Sequence, residues 1–242
     1  MASRSEVGVV FIAILIATTF TANAQLTPIT FEPDASGNIT LSSTSTDGKS
    51  ISYVCNPSYY PVGIALTIEG DVNDMWTFAG CTSLKEVTIN GNVNDMVVAF
   101  CNCGSLETVT ITGDVTDMSA AFQECGSLET VTITGDVTDM SGAFYKCALL
   151  KTITFTQAMP PTMGINSTNG AFYLACLDVA EVVVNLPFGV DVNDWQTKLI
   201  AAGLDGNKLT IKLGRDPNAP RNKTKIGRIN IKQGKVEIKP RK

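Results

Sequence analysis

The side chains best suited to chemistry in this chain are carboxylates and cysteines that return at a fixed interval. Asp71, Asp114 and Asp136 form one series, and Asp74, Asp95, Asp117 and Asp139 form a second. A pair of carboxylates can hydrolyse a glycoside, and a cluster of them can hold calcium. Their periodicity argues for a structural cause instead. Each Asp falls early in what reads as a helical turn, where its charge favours the positive end, and Asn94, Thr116 or Thr138 just before it can act as the cap. Of the seven cysteines, Cys81, Cys103, Cys125, Cys147 and Cys176 hold one position of the period. They are expected to stack as a ladder of free, buried thiols that behave as small hydrophobes. Neighbouring rungs come within bridging distance, so geometry alone leaves a disulfide open. Cys55 and Cys101 stand off the ladder, and Cys101-x-Cys103 is too little for a metal site.

The sequence contains no histidine. That removes the commonest general base, every Ser-His or Cys-His nucleophile pair and most catalytic zinc sites. No catalytic residue, metal ligand or cofactor follows from the sequence, and an enzyme is not expected. The competing reading, a glycosidase with its carboxylate pair in residues 25–64, meets a segment too short for a usual catalytic domain.

The elements that position these residues follow from a 22-residue repeat. Val87-Thr88-Ile89, Val109-Thr110-Ile111, Val131-Thr132-Ile133 and Ile153-Thr154-Phe155 are spaced by 22, and Leu66-Thr67-Ile68 begins a further copy one residue short. Val109 and Ile111 alternate with Thr108, Thr110 and Thr112, the period of a strand with one buried face. Val115, Met118, Phe122 and Cys125 then follow at i, i+3, i+7 and i+10, which predicts one face of a helix of about two turns. Gly113-Asp114 supplies the turn between them. No single copy buries its apolar face alone, so copies must stack.

The motif Ala121-Phe122-x-x-Cys125-x-Ser127-Leu128-x-x-Val131-x-Ile133, repeated at Ala99-Phe100 and Ala143-Phe144, resembles the BspA-type leucine-rich repeats of bacterial surface proteins. Val115-Thr116-Asp117-Met118-Ser119 and Val137-Thr138-Asp139-Met140-Ser141 are similar to the variant with a VTDMS core. Met159-Pro160-Pro161-Thr162-Met163, Ala171-Phe172, Cys176, Val182-Val183-Val184 and Pro187 look like its closing copy. The resemblance covers about residues 65–213. It implies an α/β leucine-rich-repeat solenoid, with a parallel sheet on one face and short helical turns on the other. It also implies adhesion: binding of a host or neighbouring-cell protein or glycan.

The most unusual surface on such a solenoid is a grid of threonines. Thr88, then Thr108, Thr110 and Thr112, then Thr130, Thr132 and Thr134, then Thr152, Thr154 and Thr156 would line the exposed sheet face. The grid has a simple structural reading, since threonine suits a solvent-facing strand and stacks on itself. It has a functional one as well, because curved solenoids offer extended binding surfaces rather than pockets. Thr110, Thr132 and Thr154 form its centre. Binding to ice or a crystal surface is an alternative suggested by the T-x-T rows, and a structural or decoy surface protein without a specific ligand is another.

The ends complete the organisation. Residues 1–24 read as a secretory signal, with an apolar stretch from Val7 to Ala17 and Ala22-Asn23-Ala24 before Gln25. The product is therefore expected to be secreted or held at a cell surface, with no membrane span in the mature chain. Residues 25–64 carry short strand-like runs, Ile29–Phe31, Ile39–Leu41 and Ile51–Val54, and suit a β-rich N-terminal cap. The step from Ile153 to Val182 is 29 rather than 22, so seven extra residues should bulge around Gly164–Gly170. A helix over about 192–203, carrying Trp195, Leu199 and Ile200, with Leu209–Leu213 as a strand after it, is expected to close the solenoid. Residues 214–242 form a basic tail in which Ile229, Ile231, Val236 and Ile238 alternate around Gln233-Gly234, the pattern of a hairpin. Residues 1–213 carry 8 basic against 21 acidic side chains, and the tail carries 10 against 2. Its cations fit contact with an anionic envelope, while export and the acidic body argue against nucleic acid as a partner. Sequons stand at Asn38, Asn166 and Asn222.

Overall fold

The computed structural model describes residues 38–42, 51–52, 64–76, 78–165, 169–217, 228–232 and 235–239. The proposed signal segment, Ile29–Phe31, Cys55, Asn166 and Asn222 lie outside them. In chain order the first strands are β1 (Ile39–Ser42), β2 (Ile51–Ser52), β3 (Ile64–Glu69), β4 (Val72–Trp76), β5 (Leu84–Asn90) and β6 (Val93–Asp95). There follow β7 (Thr108–Ile111), β8 (Val115–Asp117), β9 (Thr130–Ile133), β10 (Val137–Asp139), β11 (Thr152–Phe155) and β12 (Val182–Leu186). Helix α1 (Val192–Ala201), β13 (Leu209–Leu213), β14 (Arg228–Lys232) and β15 (Lys235–Lys239) complete the series. The strands make two sheets: ten in the order β1-β3-β5-β7-β9-β11-β12-β13-β14-β15, and five in the order β10-β8-β6-β4-β2.

Register follows from the repeat. Val87 pairs with Val109, Val109 with Val131 and Val131 with Ile153, all in parallel. A slip of one residue would turn every one of these side chains to water, so burial of one face holds the copies in phase. The apolar positions thereby become columns between the two sheets. Phe78, Phe100, Phe122, Phe144 and Phe172 stack with ring centroids 5.1, 5.4, 5.8 and 5.6 Å apart. Met96, Met118 and Met140 are fully buried beside them, as are Leu106, Leu128 and Leu150.

The side opposite the long sheet differs from the sequence expectation of helical turns. Val115–Asp117, read as the start of a helix, is β8, a strand of the second sheet. Beyond it the backbone alternates between two kinds of hydrogen bond. Ala121, Gln123 and Cys125 donate three residues back, to Met118, Ala120 and Phe122, at 3.1, 3.1 and 3.3 Å. Between them Ala120, Phe122 and Glu124 donate to Ser141, Ala143 and Tyr145 of the next coil at 2.9, 2.9 and 2.7 Å. An α-helix would send every N–H four residues back along its own chain. Here every second N–H is spent between coils, so the segment is a run of tight turns whose closures mimic the i, i+3 spacing of a helix. The geometry requires positive φ at Ala120 (54°) and Glu124 (60°), at Val98 (60°) and Asn102 (61°), and at Gly142 (66°) and Lys146 (59°). Among the described residues the one delimited α-helix is α1.

Gly91, Gly113 and Gly135 mark the tightest point of each coil. A Cβ on Gly113 would lie 2.0 Å from the Gly91 carbonyl oxygen, and one on Gly135 would lie 2.0 Å from that of Gly113. Only hydrogen fits between backbones this close.

The irregular coil also departs from its expected length. Ile153 pairs with Val184, a step of 31, and not with Val182. The nine extra residues are distributed: Phe144 to Phe172 is 28, and Cys147 to Cys176 is 29. Sequence alignment of one apolar run misses this because Val182 and Val184 have the same parity and both are buried. In the loop Gln157 substitutes for a strand. Its Oε1 accepts from the Val137 amide at 2.9 Å, and its Nε2 donates to Met159 O at 2.6 Å. Asp139 then pairs with Thr162.

The ends extend the same architecture. β1 and β2 pair in parallel with β3 and β4, so the strand-like runs before the repeats continue both sheets. At the other end α1 begins at Asp191, whose carboxylate accepts from the amides of Asn193 and Asp194. It seats Trp195 against Phe155, 4.9 Å between centroids, with the indole N–H donating to Ala158 O. The long sheet does not stop at β13: β14 and β15 add to it as an antiparallel hairpin with Lys232 opposite Lys235.

Candidate binding face

The long sheet places the threonines in rows across the strands. Thr108, Thr130 and Thr152 are direct neighbours, and the row continues through Val183 to Thr210. Thr88, Thr110, Thr132 and Thr154 form the second row, extended by Thr40 and Thr67 on one side and Asn185 on the other. Adjacent members lie about 4.8 Å apart across the sheet and about 6.7 Å along a strand. All seven sequence-predicted threonines in these two rows are half-buried rather than sunk in the core. Among the described residues the hydroxyls of Thr88, Thr108, Thr110, Thr130, Thr132 and Thr152 make no side-chain hydrogen bond, while Thr154 accepts from Asn185 at 3.0 Å.

The third column behaves differently. Thr112, Thr134 and Thr156 are exposed and lie just beyond the strand ends. Their hydroxyls turn back to carbonyls of the coil behind: Thr112 to Ile89 O at 3.3 Å, Thr134 to Ile111 O at 3.4 Å, and Thr156 to Thr134 O at 2.6 Å. A charged column runs along the opposite border of the grid, where Lys85 pairs with Glu107 at 2.6 Å and Lys151 pairs with Glu129. These exposed pairs contribute little stability, but they put a polar edge on the face. Thr40, Thr67, Asn185 and Thr210 were missed in the sequence because they fall in copies with irregular spacing.

The carboxylates occupy backbone-capping positions, by a route other than the expected one. Asp95, Asp117 and Asp139 accept from the amides of Val97, Ser119 and Ser141 at 2.9, 2.8 and 2.8 Å, closing turns within their own coil. Asn94, Thr116 and Thr138, expected as caps, are exposed. Asp71, Asn92 and Asp114 reach across coils instead, accepting from the amides of Asn92, Asp114 and Asp136 at 2.8, 2.9 and 2.8 Å. Among the described residues no group of three or more Cys, Asp or Glu is arranged to hold a metal ion.

Four of the five ladder cysteines are free and buried, as the repeat suggests. Cys103, Cys125 and Cys147 each donate a thiol hydrogen bond to a phenylalanine carbonyl, those of Phe78, Phe100 and Phe122, at 3.1 Å. Contact with the Cys103 thiol, followed by burial, raises the pKa of Cys125; burial raises that of Cys147 and pushes Cys176 up to about 12. Cys81 departs from the expectation, being disulfide-bonded. Its bond does not run to another rung, since the other four are free. The core thiols are inert, because the thiolate is the reactive form and burial opposes it.

Concave sites are shallow. One groove of about 330 Å³ lies between Pro160–Ile165 and α1, and another of about 310 Å³ lies beside the stacked rings of Tyr145 and Tyr173. Neither is lined by a carboxylate or a cysteine. The arrangement is that of a repeat scaffold with two parallel sheets. Among the described residues no helix is long and apolar enough to cross a membrane.

Residues 72–173 match the family model of the BspA type leucine rich repeat region in six copies. No curated protein and no solved structure matches the chain. The match is narrower than the span of the resemblance: β12, α1 and β13 lie beyond Tyr173. With its in-phase coils, two parallel sheets and recurring Phe and Cys columns, the stretch from Val72 to Tyr173 is similar to the BspA-type leucine-rich-repeat region whose family model it matches.

Proposed function

We propose that the protein is an exported, surface-associated binding protein of adhesin type, which recognises a protein or glycan of a host or neighbouring cell through the long sheet's outer face. The observation that carries this reading is the pair of threonine rows, in register from Thr88 to Thr154 and largely without hydrogen-bond partners of their own. A rigid surface with regularly spaced hydroxyls binds by many weak contacts, so no single residue dominates. The family match supports a binding role in general, and fold alone does not name a ligand. The basic tail fits contact with an anionic envelope.

The experiment is capture from panels of extracellular-matrix proteins and glycans, followed by the double variant Thr110→Lys, Thr132→Lys. Two cations in the centre of the face should weaken any partner found by at least about tenfold, since like-charged or bulky intrusions disrupt the whole patch. Unchanged binding would place the site elsewhere, and the absence of any saturable partner would favour a structural or decoy role.

A further inference from the structure

Register joins the basic tail to the threonine face. Thr210 pairs with Asn230, and Ile211, fully buried on the core side, pairs with Ile229. Strand residues alternate between faces, so Arg228, Asn230 and Lys232 share the face of Thr210 and Lys212. Arg228 pairs with Lys239, Asn230 with Glu237 and Lys232 with Lys235, which puts β15's charged positions on that face too. Followed across the sheet, one row reads Thr88, Thr110, Thr132, Thr154, Asn185, Lys212, and then the positions of Arg228 and Lys239. By register the cationic positions Lys212, Arg228, Lys232, Lys235 and Lys239 and the acidic position Glu237 fall at this end of the face, where the Glu181 carboxylate accepts from the Thr210 hydroxyl at 2.7 Å.

We propose that this continuous face binds a linear anionic polysaccharide, laid across the strands, with its sugar hydroxyls on the threonine rows and its anionic groups on the cationic end. The proposal rests on the sheet-face reading above and names its ligand class. Charge complementarity selects an anionic partner, and the uncharged hydroxyl rows select a glycan among polyanions. The rows Thr108–Thr152 and Thr88–Thr154 carry no aromatic ring, so they lack the stacking platforms by which single-stranded nucleic acid is held. From Thr88 to Lys239 the row crosses eight strands, a length of roughly 34 Å at the usual strand spacing, enough for several sugars.

The test uses the whole chain and four probes: heparin, neutral dextran, single-stranded DNA, and vesicles of anionic phospholipid. Heparin should bind, with an affinity that falls as salt is raised, and dextran should not. Lys212→Ser, Arg228→Ser, Lys239→Ser together should weaken heparin by at least about tenfold, because three of the positive charges that supply the salt-sensitive attraction are removed. The charge-conserving Lys212→Arg, Lys239→Arg should keep it, which separates loss of charge from loss of fold. Thr110→Glu, Thr132→Glu should also weaken heparin. Retention of heparin by the threonine variant, indifference to the triple substitution, or equally tight binding of DNA or vesicles would each overturn the proposal. If heparin fails while Thr110→Lys, Thr132→Lys still releases a captured partner, only the ligand class falls. If that variant releases nothing, the sheet-face reading falls with it.

Discussion

Gly113→Ala should unfold the solenoid more readily by an amount set by one distance. The new methyl would stand 2.0 Å from the Gly91 carbonyl oxygen, 2.2 Å from its carbon and 2.7 Å from the Asn92 nitrogen, all backbone atoms that cannot rotate aside. A carbon settles against an oxygen at about 3.3 Å, so the two coils must part locally by roughly 1.3 Å. Three bonds cross that gap: Val93 N to Asp114 O at 2.8 Å, Thr112 N to Ile89 O at 2.9 Å and Asp114 N to the Asn92 side chain at 2.9 Å. Stretched by that much, they exceed hydrogen-bonding range. At about 1 kcal/mol each the loss is about 3 kcal/mol, and more if a buried amide is left unpaired. Gly126→Ala is the matched control, because a Cβ there meets nothing within 4 Å and the lost flexibility of the unfolded chain gives a gain of about 0.5–1 kcal/mol. Urea unfolding followed by far-ultraviolet circular dichroism compares the two. Equal midpoints for Gly113→Ala and Gly126→Ala would refute the inference that the coils touch at this glycine column.

Three further consequences are open to measurement. Val98 is a β-branched residue at φ 60° where the equivalent position of the next-but-one coil is Gly142; Val98→Gly relieves a left-handed conformation that costs valine about 1–2 kcal/mol and frees the unfolded chain by about 0.5–1 kcal/mol, so it should raise stability by a net of about 0.5–1 kcal/mol, seen as a higher urea midpoint. Phe122→Ala removes the middle ring of the stack and should cost about 3–5 kcal/mol, and a loss below that of an exposed valine would contradict its place in the core. Cys176 is pushed up to about 12, and Cys125 and Cys147 are raised as well, so the folded state holds protons that the unfolded thiols, near 8.5, give up. Stability from these groups is full below about pH 8.5 and declines above it by about 1.4 kcal/mol per pH unit for each thiol, until the folded pKa is passed. Cys176→Ala should make the fall shallower between pH 9 and pH 11 by one thiol's share, and an unchanged slope would show that the Cys176 thiol is not held protonated.

What the sequence made legible was whatever repeats at a constant interval. The strands at Val109, Val131 and Ile153, the Cys and Phe columns and the threonine rows follow from position 22 steps on, because stacking turns sequence period directly into spatial column. The hairpin around Gln233-Gly234 was visible from its alternation. The turn side was not, since buried positions at i, i+3 and i+7 are produced equally by a helix and by successive tight turns, and burial does not report where an N–H points. The step of 31 escaped for a related reason: Val182 and Val184 are equally apolar, and only hydrogen bonding decides which faces Ile153. Cys81 looked like its neighbours on the ladder because a disulfide leaves no trace in spacing. The cationic end of the threonine face was hidden until β14 was seen to pair with β13, since strand register alone assigns Arg228 and Lys239 to a side.

Disulfide trapping between rows tests the stacking in phase most directly. Thr110→Cys with Thr132→Cys places two thiols on paired positions of β7 and β9, about 4.8 Å apart and within bridging range. Thr110→Cys with Thr154→Cys sets them two strands apart, at about 9.6 Å, beyond it. Under mild oxidation the first pair should close quantitatively in the folded chain and the second should stay reduced. Failure of the first pair, or equal closure of both, would mean that the coils do not stand in the register on which the fold and the binding face depend.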